Sequence, residues 1–363
     1  MKVALILTHD CNLRCTYCYV GDKYNRHMSL ETAMEAVRFA QANSRCGVDF
    51  NFFGGEPLLE KAVLFGTIDY ARAWWKEHAC PQSLRFYTTT NGLLADQGFL
   101  ERAKAVDLRI TLSLDGHGRG HDLTRTMPDG SGSFAQLAER FPDILRHYPD
   151  IQVLTTQTPR NVATLAEGIE KLSYCGFRHF ALGPNYEEPW PEEAISELAS
   201  QLKKLAGFYE SCYESGNFIS IHNFDAKIAS HTRTNGEVCS CCDKNDGEIA
   251  IAPSGRLYPC LRFVKQDTDH ALVIGSIQEG IDHQKRAKLM LESTRECQEC
   301  QECGFSGRCF HFCGAVNYKT SGSFGRPPDM LCRFEQLCIE TADRMAERLY
   351  KAQNPAFLKR FYS

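Results

Sequence analysis

No stretch of the 363-residue chain approaches the run of about eighteen apolar residues that a membrane-crossing helix needs. The opening residues, MKVALILTHD, carry one lysine and a short apolar run, with no small-residue cleavage site, so a secretory signal is missing too. Blocks of lysine or arginine are absent and the net charge is −4. A nucleic-acid-binding surface is therefore not expected. There is no low-complexity segment, and the only repetition is a strand-helix rhythm. What remains is the expectation of a cytoplasmic globular protein. Its 43% hydrophobic content allows a large core.

Cysteine is the residue in excess, with 18 in the chain. Without a secretory signal a disulfide scaffold is a poor reading, and metal ligation is the better one. Their placement agrees. Cys11, Cys15 and Cys18 open the chain, and a second group runs from Cys239 to Cys338. Cys46, Cys80, Cys175 and Cys212 stand alone between these groups and read as inert core residues.

Apolar runs at 3–7, 48–53, 84–90, 108–114, 151–156 and 177–182 read as strands. Between and after them, helical patterns fall at 29–42, 60–78, 96–106, 133–147, 161–174 and 191–214, with Ser29 as an N-cap. Six strand-then-helix units predict parallel strands with helices outside. They fall short of a closed barrel of eight. The expected fold is α/β, a partial (β/α)6 TIM-like barrel over residues 1–225. A cysteine-rich region then spans 226–345, and a helical tail 346–363.

In such a barrel the chemistry sits where strands end. Cys11, Cys15 and Cys18 follow the first strand, Gly54-Gly55-Glu56-Pro57 the second, Thr90-Asn91-Gly92 the third, and Ser113-Leu114-Asp115-Gly116 close the fourth. Three thiolates can hold three irons of a 4Fe–4S cube and leave the fourth iron open. Zinc held by the same three thiolates and His9 is the other reading.

The spacing CNLRCTYC followed by GGEP resembles the radical SAM superfamily. That resemblance implies an S-adenosylmethionine (AdoMet) site using Gly54, Gly55, Glu56 and Pro57, with Asn91, Ser113, Asp115 and Arg125 as further cofactor contacts. In the second group, Gly255-x4-Cys260 and Cys300-x2-Cys303-x5-Cys309-x3-Cys313, then Cys332, resemble the SPASM extension. This implies two auxiliary 4Fe–4S clusters, making three in all. One would use Cys242, Cys260 and Cys313 with Cys239 or Cys241, and the other Cys300, Cys303, Cys309 and Cys332. All-cysteine zinc knuckles are the alternative here. The pattern assigns no role to Cys297 or Cys338.

The resemblance implies a peptide or protein maturase that makes thioether or carbon–carbon crosslinks, with the layout of anaerobic sulfatase maturases. Formylglycine formation and action on a small molecule are the alternatives. An electron-transfer scaffold is a reading from a different class. The implied partners are a peptide or protein substrate, a low-potential flavodoxin or ferredoxin donor and a separate leader-binding protein. No nucleic acid or membrane is expected. His117, His121 and Asp246 are the candidate proton-transfer residues. The loop GPNYEEPW at 183–190, with Tyr186 and Trp190, and IHNF at 221–224 are candidate peptide contacts.

Overall fold

A computed structural model describes residues 1–44, 46–232, 248–268, 270–293, 297–310 and 313–362. Cys239, Cys241, Cys242 and Asp246 lie outside the described residues.

Six parallel strands stand in sequence order: β1 (Lys2–Thr8), β2 (Gly47–Gly54), β3 (Ser83–Thr90), β4 (Leu108–Ser113), β5 (Gln152–Gln157) and β6 (His179–Pro184). The central strand β1 is buried from Val3 to Thr8 on both faces, as its unbroken apolar run requires. In β2, inward Val48, Phe50 and Phe52 alternate with half-buried residues. Helices pack outside this sheet and start where their caps dictate. Ser29 Oγ accepts the Thr32 N–H at 3.0 Å, and Asp96 Oδ1 accepts the Phe99 N–H at 2.8 Å.

One expected helix is two. The 133–147 stretch forms Phe134–Ala138 and Phe141–His147. Pro142 starts the second helix, having no N–H to continue the first.

The sheet does not stop at the expected boundary near residue 225. A short strand β7 (Ser220–Ile221) joins the β6 edge. At the other edge β8 (Glu248–Ile251) pairs parallel with β1, and β9 (Leu257–Tyr258) pairs antiparallel with β8. The chain after residue 247 thus extends the barrel sheet. The helix His222–Thr232 spans 225, and the helix Asp329–Lys351 spans 345. The last helix, Pro355–Phe361, sets Phe357 against Tyr213 in the main core. Among the described residues, no helix is long and apolar enough to cross a membrane.

Candidate active site

The cysteine loop after β1 is held by the loop after β2. Gly55 N–H donates to Thr8 O at 2.8 Å and Glu56 N–H to Asp10 O at 2.9 Å. A Cβ on Gly54 would stand 2.4 Å from Thr8 O, and one on Gly55 would stand 2.0 Å from Asp10 O. The two glycines were expected to admit a cofactor. Their tightest neighbour is instead the backbone that carries the cysteines.

Glu56 is buried and joins the ends of β2 and β3. One carboxylate oxygen accepts from Leu58 N at 2.9 Å and Thr90 Oγ1 at 2.7 Å, and the other accepts from Asn91 N at 2.9 Å. Burial pushes this carboxyl above its usual range, and the three donors oppose that shift. Asn91 Nδ2 in turn donates to Asn12 Oδ1 in the cysteine loop at 2.7 Å.

Each thiol has its own donor or cation. Leu13 N–H points at Cys11 Sγ from 3.4 Å, Lys23 Nζ at Cys18 Sγ from 2.8 Å, and Arg125 at Cys15 Sγ from 3.9 Å. Burial pushes Cys11 up to about 12 and raises Cys15, so metal is what would hold these sulfurs as thiolates. Such contacts also tune a cluster's potential.

Cys11, Cys15, Cys18, Gly54, Gly55, Glu56, Asn91, Ser113 and Arg125 all line one cavity of about 500 Å³. Its volume suits a cofactor-sized ligand. The far wall comes from the end of β6, at Gly183 to Glu187, and from Leu261 and Arg262. Arg262 lies 4.5 Å over the Tyr19 ring and 3.9 Å from Glu187, and Lys319 reaches the same Glu187 oxygen at 3.1 Å. Sequence reading missed Arg262 because nothing in LYPCLRF marks it as a wall residue.

Other expected residues lie elsewhere. Pro57 and Asp115 are not in the cavity wall. Asp115 accepts from Tyr17 OH at 2.5 Å, Thr124 Oγ1 at 2.8 Å and Thr156 N at 2.9 Å, and pairs with Arg125 Nε at 3.1 Å. It therefore sets Arg125 from behind. His117 and His121, expected as proton donors, do not face the cavity either. His117 leans on Phe134 at 4.6 Å. His121 is buried: its Nδ1 accepts Asp115 N–H at 3.3 Å, and its Nε2 sits 3.0 Å from Ser133 Oγ. Ser133 donates to Arg125 O, so it accepts from Nε2–H and the ring is neutral. Tyr186 is in the wall; Trp190 is not, and donates to Asn185 O at 2.9 Å. The 221–224 segment is packing: Phe224 is in the core and the Asn223 amide pairs with Leu182 N and O.

His121 gives a pH test. Burial lowers its pKa to about 3, against an unfolded value near 6.5. The folded state resists protonation, so stability is full above about pH 6.5 and falls as the pH drops toward 3. The expected slope is about 1.4 kcal/mol per pH unit inside that window. Denaturant midpoints against pH should show this slope in the wild type and a flatter one in His121→Asn. Equal slopes would show that this ring does not set acid sensitivity.

A second cavity, about 210 Å³, is lined by Cys297, Cys300, Cys303, Cys309 and Cys332. Cys260 and Cys313 pack together against a separate small apolar cluster around Tyr258 and Phe263. Cys338 is fully buried in the main core. Of the four isolated cysteines expected in the core, only Cys212 is buried; Cys46 and Cys175 are exposed and Cys80 is half-buried. Among the described residues, no three Cys, His, Asp or Glu side chains converge on a point that would hold one ion. A zinc ion needs such convergence, whereas a cube gives each thiolate its own iron. His9 supplies no fourth donor at the first cavity, since its ring stacks on Tyr24 at 4.7 Å and is not in the wall. Both donor sets therefore fit clusters better than single ions.

Residues 5–144 match the sequence model of the Radical SAM superfamily. The chain is 26% identical over 274 residues to the cysteine-type anaerobic sulfatase-maturating enzyme of Clostridium perfringens, covering 70% of this chain and 72% of that protein. It is 24% identical over 314 residues to the GTP 3′,8-cyclase of Desulforamulus reducens, covering 80% and 88%. Among solved structures it resembles native anSMEcpe with bound AdoMet and Cp18Cys peptide, at TM-score 0.80 and 19% identity, covering 97% of this chain and 100% of that one. It also resembles Streptococcus suis SuiB bound to precursor peptide SuiA, at TM-score 0.57 and 15% identity, covering 91% and 75%. At these identities the structural likenesses establish the fold.

Proposed function

We propose that this chain, an enzyme of the radical SAM superfamily, abstracts hydrogen from a residue of a peptide or protein and leaves it with a thioether or carbon–carbon crosslink. The observation that carries the reading is the shared cavity. The three N-terminal thiols, the strand-end loops and the wall at Tyr186, Glu187 and Arg262 surround one space. Radical chemistry needs substrate and cofactor enclosed together, away from water. The peptides held by anSMEcpe and by SuiB in their structures support a peptide substrate here.

In this reading Cys11, Cys15 and Cys18 hold a 4Fe–4S cluster. Gly54, Gly55, Glu56, Asn91, Ser113 and Arg125 face AdoMet, with Pro57 and Asp115 as supports. When bound, this pair supplies a 5′-deoxyadenosyl radical by one-electron cleavage of AdoMet. The chain's own residues do the rest. Asp115 fixes the Arg125 fork, which suits the AdoMet carboxylate. Lys23 and Leu13 N–H stabilise charge on Cys18 and Cys11. Arg262, stacked on Tyr19, orients a substrate carbonyl or carboxylate at the far wall.

Two auxiliary 4Fe–4S clusters complete the proposal, in a SPASM region at 226–345 after the barrel of 1–225. One uses Cys242, Cys260, Cys313 and Cys239 or Cys241; the other uses Cys300, Cys303, Cys309 and Cys332. They would accept the second electron of an oxidative product. A flavodoxin or ferredoxin donor, a separate leader-binding protein and a cytoplasmic setting go with this reading. Formylglycine formation is the second reading, favoured by the likeness to the sulfatase-maturating enzyme.

Anaerobic incubation of the reconstituted protein with AdoMet and dithionite should give 5′-deoxyadenosine, and none from the Cys11/Cys15/Cys18→Ala variant. Mass spectrometry of a peptide product then separates the readings. Loss of two hydrogens marks a crosslink, and exchange of sulfur for oxygen marks formylglycine. No 5′-deoxyadenosine from wild type would end both.

A further inference from the structure

The second cavity holds one thiol more than a four-iron cluster takes. Five cysteines line it, while a cube uses one thiolate for each of its four irons. The surplus has a definite place. Cys297 Sγ points at Cys300 Sγ from 3.4 Å. The backbone explains the contact: Cys297 caps the short helix Gln298–Gln301, and Cys300 N–H donates to Cys297 O at 3.1 Å. One turn of chain therefore brings both thiols to the same side. Outer bonds from the irons of a cube diverge from its centre, so thiolates on different irons point apart. Two sulfurs in van der Waals contact address the same iron.

We propose that Cys297 and Cys300 are interchangeable donors to one iron of the auxiliary cluster in this cavity, an inference that rests on the auxiliary-cluster reading above. In the exchange the iron–sulfur bond to Cys300 breaks as one to Cys297 forms. The Cys297 thiol proton crosses the S–H···S contact to the released Cys300 sulfur. The number of bound thiolates, the charge and the electron count do not change, so no oxidant or reductant takes part. The cluster keeps four thiolates when either member of the pair is lost.

Iron and sulfide per chain after anaerobic reconstitution test this without reference to turnover. The wild type should hold about twelve irons. Cys297→Ala and Cys300→Ala should each stay near that value. The double variant should lose about four irons, as should Cys303→Ala alone. Cys300→Ala decides the matter by itself: a loss of about four irons would make Cys297 a bystander and overturn the exchange. An undiminished count in the double variant would overturn it too. A wild type with about four irons plus zinc would instead overturn the auxiliary-cluster reading, and the exchange with it.

Discussion

Gly55→Ala is expected to abolish AdoMet cleavage and to cost the radical-site cluster, about four irons per chain, while the fold persists. The new methyl would stand 2.0 Å from Asp10 O and 2.6 Å from Asp10 C. That neighbour is backbone and cannot rotate aside. The loop must back away, and the Gly55–Thr8 and Glu56–Asp10 hydrogen bonds go with it. Overpacking of this kind costs about 1–3 kcal/mol in stability, which a chain of this size survives. Function is hit harder, because Asp10 precedes Cys11 and carries its N–H bond. A displacement of about 1 Å in a reacting site can cost about 100-fold in rate. Gly207→Ala is the control: it lies inside the helix Glu192–Ser215 with nothing within 4 Å. There alanine should be neutral or stabilise by up to about 1 kcal/mol. Iron content, 5′-deoxyadenosine yield and an unfolding curve check all three statements. Full activity in Gly55→Ala would remove the close approach as the reason for this glycine.

Lys227→Met should be the most destabilising single substitution away from the first cavity. Lys227 is 1% exposed, and its ammonium donates to Glu335 Oε2 and to Arg308 O, each at 2.6 Å. It also lies 3.4 Å from the centre of the Phe310 ring. Glu335 accepts the Phe310 N–H at 2.6 Å. The pair therefore ties the helices His222–Thr232 and Asp329–Lys351 to the segment 308–310 beside Cys309. Methionine matches the length of the stem but leaves a buried carboxylate without its cation. Breaking such a pair costs about 3–5 kcal/mol. Lys227→Met/Glu335→Leu, which removes both charges, should recover most of that loss. Chemical unfolding of the three variants checks the order. Equal stability of Lys227→Met and wild type would mean that water reaches Glu335. Iron content should fall as well, since the 308–310 backbone sets Cys309 in its cavity.

The six-unit barrel was legible because its signals are local. A strand such as VALIL or a helix beginning at Ser29 carries its period and its cap within a few residues. The cysteine spacings were legible for a similar reason, since ligands of one cluster often sit on one loop. Strands β8 and β9 were not legible. They are four and two residues long, and their place beside β1 depends on a partner more than two hundred residues away. Nor could sequence show that Asp115 faces inward to Arg125, that His121 is locked neutral behind it, or that Cys338 is core while Cys297 shares a cavity with four other thiols.

The sequence by itself determined the donor types, their spacing and the alternation of strand and helix, because each is set by covalent neighbours. Tertiary structure alone decided which residues share a wall. Tyr24 OH reaches Gln266 O at 2.6 Å and Arg26 pairs with Asp267 at 3.3 Å, so the cysteine loop is braced by a distant segment. Arg262 enters the first cavity along with that segment. Contacts of this range are fixed only when the whole core packs, because shape and burial select them and sequence neighbours do not.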